Sequence, residues 1–252
     1  AAPFATHILS QMGAEVIKVE PPSGDTTRAL VRGGPSGTLI AYSHSKKGIC
    51  LDLTAEAGKE AFRKLVASAD VVIHNLSPAA SRKLGTTFED CNAANPDIIH
   101  CHVKGYAHGP QAEDLATNPV AEAATGVMDD HRINGRPSRL GPSYHDQFAG
   151  TFAVIRVLGV MLDPAPTAED RRIEIGLYET GLHLAARLPD LVSRIARGEH
   201  PRREPEQRPG RRLARDDATA GRDQPVGVAA EAGERRGRLL HDRALGDAGR
   251  PS

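Results

Sequence analysis

The chain has 252 residues, 39% hydrophobic and 25% charged, with 25 Gly and 18 Pro, a composition that fits one large or two small globular domains. Its 32 basic and 32 acidic residues cancel, so no whole-molecule field selects nucleic acid or an anionic membrane, and any charge-driven binding has to be local. No run approaches the roughly 20 apolar residues that span a bilayer, and the opening AAPFATHILS lacks the basic start and long apolar centre of a secretory signal, so the expected location is the cytoplasm.

Residues 4–12 read as a helix stopped by Gly13, and opening on a helix predicts a strand ahead of it. Residues 15–19 (EVIKV) read as a strand closed by Pro21-Pro22. A second strand at 48–53 leads to Thr54, the expected N-cap of a helix carrying Ala57, Phe62, Leu65 and Val66 on one face. Residues 71–76 form the next strand, a short helix through Arg82, Lys83 and Leu84 ends at Gly85, and residues 88–94 make another turn or two. A fourth strand at 98–103 ends in Lys104-Gly105-Tyr106. Residues 119–128 read as a helix. Residues 147–162 read as a long apolar helix whose Ala149, Gly150, Ala153 and Gly159 permit close packing. Residues 172–177 are a last strand, followed by a helix from Tyr178. This alternation predicts an α/β fold, an open, largely parallel Rossmann-like sheet with flanking helices. Cys50, Cys91 and Cys101 lack CxxC spacing and lie in or beside apolar stretches, which predicts buried free thiols and neither a disulfide framework nor a zinc site.

Composition changes near Leu188, dividing the chain into an α/β domain (1–188) and an Arg/Pro/Gly/Ala-rich tail (189–252). All aromatic residues lie at or before Tyr178 and the last Ile is Ile195. Such a tail buries too little apolar surface to offset roughly 1–2 kcal/mol of backbone ordering per residue. Two readings stay open, a disordered segment or a stretch read out of frame. An RNA-binding arm is disfavoured, because acidic residues dilute the arginines and no aromatic interleaves them.

Ligands of open α/β sheets sit beyond the carboxyl ends of the strands. Beyond the first strand lie Gly24-Asp25-Thr26-Thr27-Arg28; before the second, Ser43-His44-Ser45-Lys46-Lys47; beyond the third, His74-Asn75 and Arg82-Lys83; beyond the fourth, Lys104. Convergence of these cations on one sheet edge predicts a local site for a polyanion. The chain lacks GxGxxG and GxxxxGK[ST], so a dinucleotide fold or P-loop is not supported. It also lacks GxSxG and HExxH, and Cys101 alternates with His100 and His102 along a strand. Pro142-Ser143-Tyr144-His145-Asp146-Gln147 precedes the long helix. Asp146 there reads either as an N-cap or as a nucleophile, since a carboxylate with an ordinary pKa of ~3.9 is ionised at neutral pH without a general base. His145 is a weaker acid–base candidate, because neighbours on a helix point apart.

Four segments, AAPFATHILSQMGAEVIKVEPPSGDTTR, SHSKKGICLDLTAEAGKEAFRKLVASADVVIHNLSPAASRKLG, NPDIIHCHVKGY and SYHDQFAGTFAVIRVLGVML, strongly resemble the class III CoA-transferase family, which includes formyl-CoA and L-carnitine CoA-transferases and, as relatives, the 2-methylacyl-CoA racemases. The resemblance covers residues 1 to about 186. It implies that the cations hold coenzyme A, with Ala1 and Ala2 near the thiol end, Arg28 on the nucleotide and Lys46 at the phosphates. Asn75, Leu76 and Lys83 would flank the adenosine portion, and Lys104 would complete the site. Asp146 falls on the family's nucleophilic aspartate, which passes through a mixed anhydride and an aspartyl-CoA thioester. The implied substrates are an acyl-CoA and a small carboxylate, with no metal, no nucleic acid and no membrane. The family's racemases use a His in the segment that here holds Thr117 and Asn118, neither a proton shuttle at neutral pH, and Asp114 is the nearest substitute. Transfer is therefore favoured over racemisation, with a racemase or a non-catalytic CoA-binding fragment as alternatives. The family also implies a strand ahead of residue 1, a further domain with a Gly-rich loop, and a homodimer.

Overall fold

The computed structural model describes residues 1–185 and 226–229. Its elements in chain order begin with α1 (Ala2–Gln11), β1 (Val16–Glu20), a 3-10 turn (Thr26–Leu30), α2 (Gly37–Ser43), β2 (Lys47–Cys50), α3 (Glu56–Ala67) and β3 (Val71–His74). Next come α4 (Pro78–Leu84), α5 (Phe88–Ala94), β4 (Ile99–Lys104), α6 (Asn118–Ala124), α7 (Val127–Asp130) and the two-residue strands β5 (Arg132–Ile133) and β6 (Arg136–Pro137). The series ends with α8 (Tyr144–Leu162), α9 (Ala168–Arg171), β7 (Arg172–Gly176), α10 (Leu177–Ala185) and β8 (Val226–Ala229).

The main sheet has the order β2-β1-β8-β3-β4-β7. The pairs β1/β2, β3/β4 and β4/β7 are parallel, and β8 lies antiparallel between β1 and β3. Buried strands in such a sheet are apolar on both faces, as VVIH of β3 illustrates. One face (Val71, Ile73, Ile99, Cys101, Val103, Ile173) packs on α1 and α8 through Ala5, Leu9, Ala149, Ala153 and Val157. The opposite face (Val19, Val72) packs on Phe62 and Val66 of α3, Leu84 of α4 and Cys91 of α5. The predicted α/β fold is present, a largely parallel sheet with helices flanking it on both faces.

Local chemistry explains the boundaries. Ser77 caps α4 with its hydroxyl accepting from the Ala80 N–H, Pro78 fills the first turn, and Gly85 (φ 70°) closes it in the left-handed region. Thr87 and Asp90 form a reciprocal capping box at α5. Thr54 is not the N-cap of α3. Asp52 Oδ1 instead accepts from its N–H (2.9 Å) and its hydroxyl (2.6 Å), and Ala55 takes the cap position. The helix expected at 119–128 is two, because Gly126 turns the backbone left-handed (φ 81°) between α6 and α7. Cys91 and Cys101 are buried, but Cys50 is exposed on β2, a four-residue edge strand.

Within 189–252, expected to be disordered or out of frame, the described residues are Val226–Ala229 (VGVA), a strand between β1 and β3. Alternating β-branched residues suit an extended segment flanked by two ladders. The rest of that expectation lies outside the described residues.

Candidate active site at the start of the long helix

Ser143, not Asp146, is the N-cap residue of α8, which removes the capping reading of the aspartate. Asp146 stands in the first turn, where the helix N-terminus favours its charge, and its side chain is 31% exposed. The Ala1 backbone nitrogen lies 3.4 Å from Asp146 Oδ1. The close approach of α1 and α8 depends on Gly150, where a Cβ would meet Ala1 O at 2.9 Å and Phe4 Cδ1 at 3.0 Å. Gln147 Nε2 donates to the Tyr42 hydroxyl (3.3 Å), and Tyr42 meets Phe4 edge-on at 5.4 Å, so α2 closes the other side.

His145 faces the opposite way. It is fully buried among α6, α8 and α10, with Nε2 3.3 Å from Thr125 Oγ1, and a side chain at Gly181 would collide with its ring. Burial lowers its pKa against the opposing charges of Glu122 and Asp146. It is a packed histidine at the root of the site.

The cations are more constrained than the sequence suggests. Arg28 makes a two-pronged bond to Glu20, Nε and Nη2 each at 3.0 Å. Burial alone would raise the Glu20 carboxyl, but hydrogen bonds from Arg28 and Lys18 hold it at about 2. Lys18 is buried and pairs with Asp25, with Glu20 at 3.1 Å and with Ser43 Oγ at 3.2 Å, tying the loop after β1 to the end of α2. Lys46 precedes β2, so it starts from that strand's amino end rather than the shared carboxyl edge. Its side chain reaches α1 and donates to Pro3 O (2.8 Å) and Thr6 Oγ1 (2.7 Å). Burial, and then the charge of Lys18, push its amine down to about 7.

A second group lies beyond β3 and β4. Leu76 is buried, and its carbonyl accepts from His102 Nε2 (2.8 Å). Asn75 is half-buried beside it, and Lys83 is exposed on α4. Lys104 pairs with Glu174 at 2.8 Å and lines a cavity of about 150 Å³ with Arg82, Phe88, His100, His102 and Arg172. Ala2 is only 2% exposed and belongs to the apolar core, so its side chain offers a ligand no surface. The structure thus brings Ala1, Lys46 and Asp146 to the first turn of α1. Arg28, Lys83 and Lys104 follow the carboxyl ends of β1, β3 and β4, with carboxylate partners on Arg28 and Lys104.

The sequence reading missed three features. His74, His100 and His102 form a buried cluster, with ring centroids 5.0 Å apart for His74–His100 and 4.3 Å for His74–His102. Glu179 accepts from the backbone N–H groups of Ala107 (3.0 Å) and His108 (3.3 Å), pinning the loop after β4. Asn118 Oδ1 accepts from the Asp146 N–H at 3.2 Å. Asn118, Glu122 and Thr125 recur at helical spacing, the one signal in the sequence for that last contact. Among the described residues, no helix is long and apolar enough to cross a membrane, and no group of three or more His, Cys, Asp or Glu is placed to hold a metal ion.

Comparison with known proteins converges on one family. The chain is 30% identical over 188 residues to a formyl-CoA:oxalate CoA-transferase of Streptomyces avermitilis, a match covering 73% of the chain and 46% of that protein. It is 32% identical over 190 residues to a succinyl-CoA–D-citramalate CoA-transferase of Chloroflexus aurantiacus, covering 73% and 47%. Among solved structures, a CAIB/BAIF family protein from Brucella suis superposes with a TM-score of 0.62 at 30% identity over 80% of this chain and 55% of that one. A hypothetical protein from Mycobacterium tuberculosis superposes with a TM-score of 0.67 at 26% identity, covering 76% and 54%. The chain spans about half the length of the curated relatives it matches. The family model extends over residues 1–247, beyond the stretch to about 186 that carries the motifs. A match over nearly the whole chain, a shared fold and this degree of identity together establish that the chain belongs to CoA-transferase family III.

Proposed function

We propose that this chain carries the CoA-binding and acyl-accepting part of a CoA-transferase that moves CoA between an acyl-CoA and a small carboxylic acid, with Asp146 as nucleophile. The observation that carries this reading is the placement of Asp146, a partly exposed carboxylate at a helix N-terminus beside the first turn of α1. An oxygen of that carboxylate attacks the thioester carbonyl, the C–S bond breaks, and CoA thiolate leaves from a mixed anhydride. The thiolate then attacks the Asp146 carbonyl, releasing the first acid and leaving an aspartyl-CoA thioester. The acceptor carboxylate repeats the two steps in reverse. No net proton transfer is required, which agrees with a site whose nearest histidine, His145, is buried.

Arg28, Lys46, Lys83 and Lys104 are proposed to meet the phosphates and the nucleotide, with Asn75 and Leu76 flanking the adenosine portion. For Arg28 and Lys104 this requires a phosphate to compete with Glu20 and Glu174. Asn118, beside Asp146 where the racemases carry a proton-shuttling histidine in their neighbouring segment, supports transfer over racemisation. The names of the relatives suggest formyl or short dicarboxylic acyl groups.

The test is CoA transfer from succinyl-CoA to a labelled dicarboxylate by the folded chain and by Asp146→Asn, with CoA binding measured on both. The proposal predicts transfer by the native chain, a loss of about 10³-fold or more in the variant, and CoA affinity within about threefold. Transfer surviving in Asp146→Asn, or absent from the native chain, overturns it.

A further inference from the structure

Asn118 and Glu122 stand four residues apart on α6, with Thr125 three further on, so all three share one face. That face meets the first turn of α8. Asn118 Oδ1 accepts from the Asp146 N–H at 3.2 Å, one of the N–H groups that a helix start leaves without an internal partner. The other end of the same side chain, Nδ2, donates to Glu122 Oε1. Glu122 is 0% exposed, and its second oxygen accepts from the Leu140 N–H at 3.4 Å and faces Arg139 Nε at 3.9 Å. A buried carboxylate persists only when it is partnered, and here a side-chain amide and a peptide N–H donate to it while a guanidinium supplies opposite charge nearby.

The chemistry of this chain of contacts is directional. A carboxylate only accepts, so it can face only the NH₂ end of Asn118, and the carbonyl end is thereby turned to the Asp146 N–H. With Glu122 in place the amide has one orientation; without it, two. Thr125, from the same face, lies 3.3 Å from His145, so α6 holds two successive residues of the α8 start.

We infer that Asn118 and Glu122 are positioning residues for Asp146: the buried carboxylate sets the flip of the amide, and the amide sets the backbone from which the nucleophile projects. Neither touches the reacting atoms. The inference rests on Asp146 being the acyl acceptor only for its functional half; the hydrogen-bond relay stands on the geometry.

The experiment uses the full chain with Asn118→Asp, Glu122→Gln and the double variant. It reads two quantities: amide hydrogen exchange at Asp146, and the rate at which succinyl-CoA with hydroxylamine converts Asp146 to a hydroxamate. Asn118→Asp sets two carboxylates face to face, and is expected to speed exchange at Asp146 about tenfold, the equivalent of one hydrogen bond, and to slow the adduct by a similar factor. Glu122→Gln frees the amide to flip and gives a smaller change, about threefold. The double variant restores one donor facing one acceptor and is expected to return both quantities towards native. Amides at Ala153 and Val157, deeper in α8, should stay unchanged throughout, which separates positioning from loss of the helix. Exchange at Asp146 that ignores Asn118→Asp, or a double variant no better than the single, overturns the relay. Exchange that follows the pattern while the adduct rate does not overturns the positioning role. If the native chain forms no adduct, the acyl-acceptor reading falls, and the exchange pattern alone upholds or overturns the relay.

Discussion

His74, His100 and His102 show how a single residue type can set the pH behaviour of the fold. Each is buried, and burial first of all lowers each pKa; His100 is pushed to about 4 and His74 well below its usual range. The neutral rings are held by short contacts: His100 Nε2 donates to Thr86 O at 2.9 Å and lies 3.2 Å from His74 Nε2. In the unfolded chain each imidazole takes up a proton near 6.5, whereas the folded chain refuses it until far lower pH. Stability from these rings is therefore complete above about pH 6.5 and drains away as pH falls towards 4. Denaturant unfolding should show a loss of about 1.5 kcal/mol from His100 alone between pH 6.5 and 5, above the carboxylate range. A flat profile there contradicts the buried neutral cluster. At this scale the sequence drew attention to Asp146 through its motif, and the structure sets that residue in the first turn of α8. The sequence was silent where a role depends on what lies across the fold. Glu122 sits at an unremarkable position in the sequence, and only the packing of α6 against α8 brings it to the root of the site.

Between elements, the α1–α8 contact places Asp146, and its closeness is a matter of side-chain size. The run of small residues in α8 predicted tight packing, and the structure divides that run. Gly150 has no room for a methyl, whereas nothing lies within 4 Å of a Cβ at Gly159, which is exposed. Gly150→Ala should destabilise the chain by about 1–2 kcal/mol net, the overpacking against Ala1 O exceeding the gain in helix propensity. Gly159→Ala should stabilise it by about 0.5–1 kcal/mol, because only the propensity changes. Thermal unfolding of the two variants checks both signs, and equal shifts would contradict the packing described. Element types were legible through periodicity and stop signals, as at Gly85. The shifts arose where a local hydrogen bond competed, as Asp52 did for Thr54, or where a glycine turned the backbone, as at Gly126.

For the molecule as a whole, the sheet depends on a segment distant in sequence from the rest. β8 pairs on both sides, with Val228 opposite Ile17 of β1 and Val72 of β3. Composition could not reveal this, because a four-residue strand gains its stability from two ready-made ladders rather than from its own surroundings in the chain. Val228→Pro removes a backbone donor from the centre of the sheet, and is expected to cost about 3 kcal/mol or more. Unchanged unfolding would contradict the placement of β8. The parallel topology itself was legible from the alternation of strands and helices. The charge balance within the site was not, since partners such as Glu20 and Glu174 are known only once strands are in register. Acceptance of the acyl load by Asp146 is the central proposed step, and mass spectrometry of the peptide containing it, after incubation of the native chain with succinyl-CoA and hydroxylamine, tests that most directly. A hydroxamate on Asp146, absent from Asp146→Asn, is the predicted result; an unmodified Asp146 in the folded chain, or a hydroxamate on another carboxylate, would contradict it.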